Sequence, residues 1–253
     1  MLRVGCVSFI NALPLIEGIT DELIFDDPAT LTRKIVNEEL DIALLPVVDI
    51  FRYPQLKPFT SLMIGSNGPV QSIRLVSGKP ITEIKTYRRD FQSRSSNTLN
   101  EIILRQFFKL DVREVDDEIA DATLYIGDRA LLVPKAAYDY DLGDLWTQWT
   151  KLPFIFATWV KRDGIDICGW DEKLLCAYQR GKSKIPALAE IAAQRIGISH
   201  AAALDYFSNA IKYEVGSDHE HGLRRFHAEI SLIETLSPLS QSTLFPTKSA
   251  LIR

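Results

Sequence analysis

The apolar run Ile42-Ala43-Leu44-Leu45, closed by Pro46, stands directly behind a segment of helical period and constrains the chain more than any other feature. A continuous apolar strand that follows a helix is a parallel strand covered on both faces, which points to an α/β fold. The flanking segments repeat the alternation. Residues 2–7 form a short apolar strand; Asn11 with Leu13-Pro14-Leu15 starts a helix; residues 23–25 are the next strand. Asp27-Pro28 is a cap-plus-proline helix start, with Leu31 and Ile35 on one helix face.

Strands are predicted over 60–64, 72–76, 84–87, 112–115, 122–126 and 153–159. Helices are predicted over 98–108, from Gly127-Asp128 onward and over 144–149. From Asp171 the spacing is helical: Leu188, Ile191, Ala192 and Ile196, then Leu223, Phe226, Ile230 and Ile233, ahead of a stop at Pro238. The apolar strands 72–76 and 154–160 bracket the middle block. That pattern predicts one lobe inserted into another: 1–77 begins the first lobe, 78–158 is the inserted second lobe, and 159–253 completes the first, with two crossing strands as joints. Two such lobes face each other across a cleft lined by strand ends and helix N-termini.

At 253 residues the chain can bury a core without disulfides or metal. Its net charge of −4 argues against nucleic acid and anionic membranes as partners. No window approaches the ~18 apolar residues of a membrane span. The start, Met-Leu-Arg-Val-Gly-Cys, reads as a core strand rather than a signal peptide, and three scattered cysteines suit a reducing compartment, so a cytoplasmic location is expected. The oligomeric state is not legible.

Four segments set small polar residues where a strand gives way to a loop or helix: Ser8 to Asn11, Gly68 to Ser72, Ser93 to Asn97, and Gly127-Asp128. Backbone N–H groups at a helix start, joined by hydroxyl donors, hold a carboxylate or phosphate. Ser93-Arg94-Ser95-Ser96-Asn97 is the foremost candidate, and its other reading is a plain helix cap. Asn11 and Asp128 carry the same two readings, and Gly127 is read as serving a tight turn. His219-Glu220-His221 opens a helix, where i and i+2 side chains do not share a face, so a solvated role is read for these and for His200 and His227. Trp146, Trp149 and Trp159 fit core packing as well as ligand stacking. The residues alone give a clamp for a small anion and leave open whether the guest is changed.

Val7-Ser8-Phe9-Ile10-Asn11-Ala12-Leu13-Pro14-Leu15 resembles the amino-terminal signature of the chorismate dehydratases of menaquinone biosynthesis by the futalosine route. Similar elements follow in order: Asp41 to Pro46, Gly68-Pro69-Val70 with Ser72, Ser93-Arg94-Ser95-Ser96, Ile126 to Leu131, Leu142-Gly143 with Trp146, Leu152-Pro153-Phe154, and Tyr206 with Ile211 and Tyr213. The sequence departs from the family where Val47 and Asp49 replace a frequent Ser and Glu, and where Ser95 replaces Thr.

The resemblance implies the two-lobed periplasmic-binding-protein type II fold and a lyase that dehydrates chorismate to 3-enolpyruvylbenzoate, with no metal or organic cofactor. Its guest is a small dicarboxylate. Ser95, Ser96 and the N–H groups near Asn97 would anchor carboxylates, with Ser72 opposite. Ser8, Pro46, Ser93 and Gly127 would line the site. Asn11 would orient the reacting ring. Either Asp128 or the substrate's own enolpyruvyl carboxylate would take the proton. Other readings are a non-catalytic anion receptor or sensor of this fold and the related naphthoate-forming synthase, whose usual Ser-Pro-x-x-Asn-Asp start is absent.

Overall fold

A computed structural model describes residues 2–116, 119–236 and 244–246. In chain order its strands are β1 (Val4–Val7), β2 (Leu23–Asp26), β3 (Ile42–Pro46), β4 (Leu56–Ser66), β5 (Ile73–Ser77), β6 (Thr86–Arg88), β7 (Arg113–Glu114), β8 (Ala122–Ile126), β9 (Tyr138–Asp141), β10 (Phe154–Arg162) and β11 (Lys212–Glu214). Its helices are α1 (Pro28–Val36), α2 (Asp49–Arg52), α3 (Ser95–Ile102), α4 (Gly127–Leu132), α5 (Leu142–Thr150), α6 (Trp170–Ser183), α7 (Ile185–Ile196), α8 (His200–Asp205) and α9 (Ser217–Ile230).

The strands form two sheets, ordered β11-β4-β10-β3-β1-β2 and β7-β6-β8-β5-β9. β1 runs parallel to β2 and β3, while β10 is antiparallel to β3 and β4. In the second sheet β6 runs parallel to β7 and β8, and β5 is antiparallel to β8 and β9. β3 is buried at every position, as its unbroken apolar run requires. α1 starts as expected: Asp27 accepts from the Thr30 N–H at 3.0 Å, and Leu31 and Ile35 face the core. A cap of this kind contributes about 1 kcal/mol.

Several expectations need correction. The strands 72–76 and 154–160 do not cross between lobes. β5 is hydrogen-bonded wholly within the second sheet and β10 wholly within the first. We propose that the crossings are the short segments 67–72 and 151–153, which puts the two lobe boundaries there rather than at 77/78 and 158/159. The expected helix at Asn11 is a short 3-10 helix, Ile10–Leu15, with Asn11 inside it and no side-chain cap. Pro14 within the turn lacks an N–H to extend it. The helix over 98–108 begins earlier, at Ser95, and ends in a π turn over Ile103–Phe107. The helical tail contains β11, which returns to pair with β4. The stop at Pro238 lies outside the described residues. Trp146 is buried against Trp149, Phe154 and Phe226, and Trp159 is fully buried, so these rings pack the core.

Candidate active site

The ends of β1, β3 and β8 meet the start of α3 around one hollow between the sheets. Val7, Phe9 and Asn11 follow β1, Pro46 closes β3, Ile64 and Phe156-Ala157 come from β4 and β10, and Ile126-Gly127 ends β8. Val70, Ser72 and Ile73 come from the crossing loop and β5; Ser93, Ser95 and Ser96 come from the turn into α3; Pro28 completes the wall. The empty volume is about 540 Å³, counted together with the solvent at its open mouth. None of these lining side chains carries a charge.

Of the residues singled out from the sequence, Asn11, Pro46, Ser72, Ser93, Ser95, Ser96 and Gly127 converge here. Asn11 is buried, and its Oδ1 has no hydrogen-bond partner among the described residues. A buried acceptor left unpaired costs about 1–3 kcal/mol, so it is suited to meeting a donor on a guest. Ser72 lies within the wall, with its carbonyl accepting from the Gly127 N–H at 2.8 Å. Gly127 has φ +57°, and a Cβ there would sit 2.8 Å from the Phe9 ring of the facing lobe, so both conformation and space demand glycine.

The turn into α3 supplies donors. Ser93 Oγ accepts from the Ser96 N–H at 3.1 Å, and Ser95 Oγ accepts from the Val48 N–H at 3.1 Å, which ties α3 to the opposite lobe. Each hydroxyl still has its own proton to give. The dipole of α3 adds partial positive charge at this end.

Three of the singled-out residues do not line the hollow. The Ser8 side chain is exposed, and the residue contributes its carbonyl to Arg195. Asn97 is occupied within its own turn: Oδ1 accepts from the Asp90 N–H at 3.0 Å, and Nδ2 donates to the Asp90 and Ser93 carbonyls. Asp128 sits in the first turn of α4 rather than capping it, and its carboxylate accepts from the Ile10 N–H at 3.0 Å. Burial pushes its pKa up, while the Ile10 N–H and the nearby Arg195 oppose the shift.

Sequence reasoning passed over two partners. Tyr206, fully buried behind the wall, places its hydroxyl 2.8 Å from Ser72 Oγ. Asp49, noted only as a departure, is a fully buried carboxylate that accepts from Thr32 Oγ1 at 2.6 Å and lies 2.7 Å from Arg94 Nε. That Arg94 contact is a charge contact without an aligned N–H. Burial raises the Asp49 pKa, with Arg94 and Thr32 opposing. The one sequence signal for this pair was that Asp49 follows an apolar strand end and Arg94 sits within the polar turn.

His219 is half-buried and caps α9 by accepting from the Gly216 N–H through Nδ1 at 3.1 Å, which corrects its reading as solvated; burial lowers its pKa. Among the described residues no group of three or more His, Cys, Asp and Glu side chains is arranged to hold a metal ion, and no helix is long and apolar enough to cross a membrane.

The chain is similar to known proteins over nearly its whole length. The profile of a family described as "Menaquinone biosynthesis" matches residues 2–231. A chorismate dehydratase of Thermus thermophilus is 24% identical, over 90% of this chain and 94% of that protein. Among solved structures, a protein of Archaeoglobus fulgidus superposes with a TM-score of 0.67 at 15% identity, over 92% of this chain and 97% of that one. The periplasmic aliphatic sulphonate binding protein of Escherichia coli superposes at 0.61 and 12% identity, over 98% and 97%. The architecture is therefore the two-lobed periplasmic-binding-protein fold, and the chain belongs to the menaquinone biosynthesis family.

Proposed function

We propose that this chain is a cytoplasmic chorismate dehydratase, forming 3-enolpyruvylbenzoate and water. The observation that carries the mechanistic part is the uncharged lining of the hollow. It offers hydroxyls, an amide and a helix start, and no lining side chain titrates as a base. A dicarboxylate would be held by Ser93, Ser95, Ser96 and the dipole of α3 on one side and by Ser72 and Asn11 on the other.

The base is then the substrate's own enolpyruvyl carboxylate. Val7, Phe9, Ile64, Val70, Ile126 and Phe156 surround the guest with apolar surface. Such surroundings disfavour a bare carboxylate and make it a stronger base than in water. It takes the proton from the ring carbon that bears the ether. That C–H pair becomes the new ring double bond, hydroxide leaves the neighbouring carbon, and the proton joins it as water. The ring becomes aromatic, which drives the step. Asn11 Oδ1 orients the ring hydroxyl, and Ser72 steadies the carboxylate. Asp128, turned to the Ile10 N–H, serves to hold the lobes together rather than as the base.

Incubating the purified chain with chorismate and following ultraviolet absorbance tests this. An aromatic product lighter than the substrate by one water is expected. Binding of chorismate without such a product would make the chain a receptor. Asp128→Asn should keep turnover within about fivefold, the scale of a lost positional contact. Abolished turnover with unchanged affinity would make Asp128 the base.

A further inference from the structure

We propose that Tyr206 is a positioning residue that decides which side of the Ser72 hydroxyl meets the substrate. This rests on the reading above in taking Ser72 as a group that touches the guest. Tyr206 opens the π turn Tyr206–Ala210 after α8, is 1% exposed, and does not itself line the hollow. Its ring packs against Phe207 at 5.7 Å between centroids, so its place is held by the ring and its hydroxyl is available for hydrogen bonding.

The hydroxyl has Ser72 Oγ as its hydrogen-bond partner, at 2.8 Å. Burial pushes the phenol pKa up, so the hydroxyl keeps its proton.

The proton count then fixes Ser72. A buried hydroxyl must place its proton, and Ser72 Oγ is the acceptor within reach. The Tyr206 proton goes to Ser72 Oγ. The Ser72 proton cannot also point at Tyr206 without opposing it, so it turns toward the hollow. A hydroxyl is ambivalent on its own. Tyr206 makes of Ser72 a fixed donor, Oγ–H, which suits the carboxylate of the guest.

The test is Tyr206→Phe, which keeps the ring and deletes the hydroxyl. The expected result is a kcat lower by about tenfold to a hundredfold, the cost of one mis-set buried hydrogen bond, with KM changed by less than about threefold. The Ser72→Ala/Tyr206→Phe double variant should be no slower than Ser72→Ala by more than about twofold, because the tyrosine acts through a group already gone. Placing p-aminophenylalanine at 206 restores a donor of the same shape and should return kcat to within about fivefold of the unaltered chain. It also carries the test should Tyr206→Phe fail to fold. Unchanged kcat in Tyr206→Phe, additive losses in the double variant, or no recovery with the amino analogue overturns the proposal. An unaltered chain that makes no aromatic product overturns the dehydration reading and this inference together. A chain that does so while Tyr206→Phe keeps full speed overturns this inference alone.

Discussion

The hollow and the seam around it use polar chemistry in opposite ways. The hollow is lined by apolar groups, hydroxyls and one amide, with no charged side chain. The seam between the lobes is held by carboxylates: Asp49 against Arg94 at 2.7 Å, Asp128 on the Ile10 N–H at 3.0 Å, and Asp205 on Gln71 Nε2 at 2.7 Å. Charge closes the clamp, and neutral dipoles face the guest. The difference teaches that the strongest charge inside the closed site is the guest's own, which is what a substrate-derived base requires.

The largest expected effect breaks the neutral side. Asn11→Leu keeps the volume and removes the buried acceptor, and kcat/KM for aromatic product should fall by roughly a hundredfold to a thousandfold, the range for loss of one preorganised polar group. The fold should persist, as read by thermal melting. A loss below tenfold would mean that the amide does not meet the reacting ring.

The next breaks the charged side. Arg94→Met strands Asp49, and the chain should lose about 2–3 kcal/mol in urea unfolding, at the low end for a buried pair because Arg94 is 30% exposed. Its pH dependence follows from the Asp49 shift. The folded pKa is raised above the unfolded one by burial, so the folded state holds that proton more tightly. Ionising Asp49 thus costs stability as pH rises from the ordinary carboxylate range through the folded value. Removing Arg94 enlarges the cost. The deficit of Arg94→Met should be greatest at neutral pH and shrink as pH falls through that range. A deficit independent of pH would show that the pair does not act through charge.

A smaller effect sharpens the boundary between the two regions. Asn97→Ala removes side-chain bonds that brace the turn into α3 and should cost about 1 kcal/mol of stability, with kcat retained to within about threefold. Ser8→Ala should change stability by less than about 0.5 kcal/mol, because that side chain is exposed and contributes only its backbone carbonyl. A catalytic defect in Ser8→Ala would extend the site beyond the hollow.

Much of the fold was legible because it rests on local pattern. β3 announced itself as an unbroken apolar run, and Asp27-Pro28 announced α1. The small polar residues at strand ends pointed to the hollow, since those ends converge in any two-lobed α/β clamp. What stayed hidden depends on partners distant in sequence. Tyr206 was legible only as part of the family resemblance, without a role at the site, because its bond to Ser72 spans 134 positions. Asp128 read as a helix cap or a base because its partner, the Ile10 N–H, lies 118 positions away. Asn97 read as part of an anion site although its amide is spent inside its own turn, a choice that local composition cannot reveal. β11 was missed because three residues inside a helical tract carry no alternation long enough to read.

The most direct test of the central claim is a structure with chorismate, or an unreactive analogue that keeps both carboxylates, bound in the hollow. The account predicts Asn11 Oδ1 and Ser72 Oγ in hydrogen-bond contact with the guest, the carboxylates at Ser72 and at the start of α3, and no protein carboxylate or histidine near the ring carbon that loses its proton. A bound form in which Asp128 has left the Ile10 N–H and reached that carbon would contradict it.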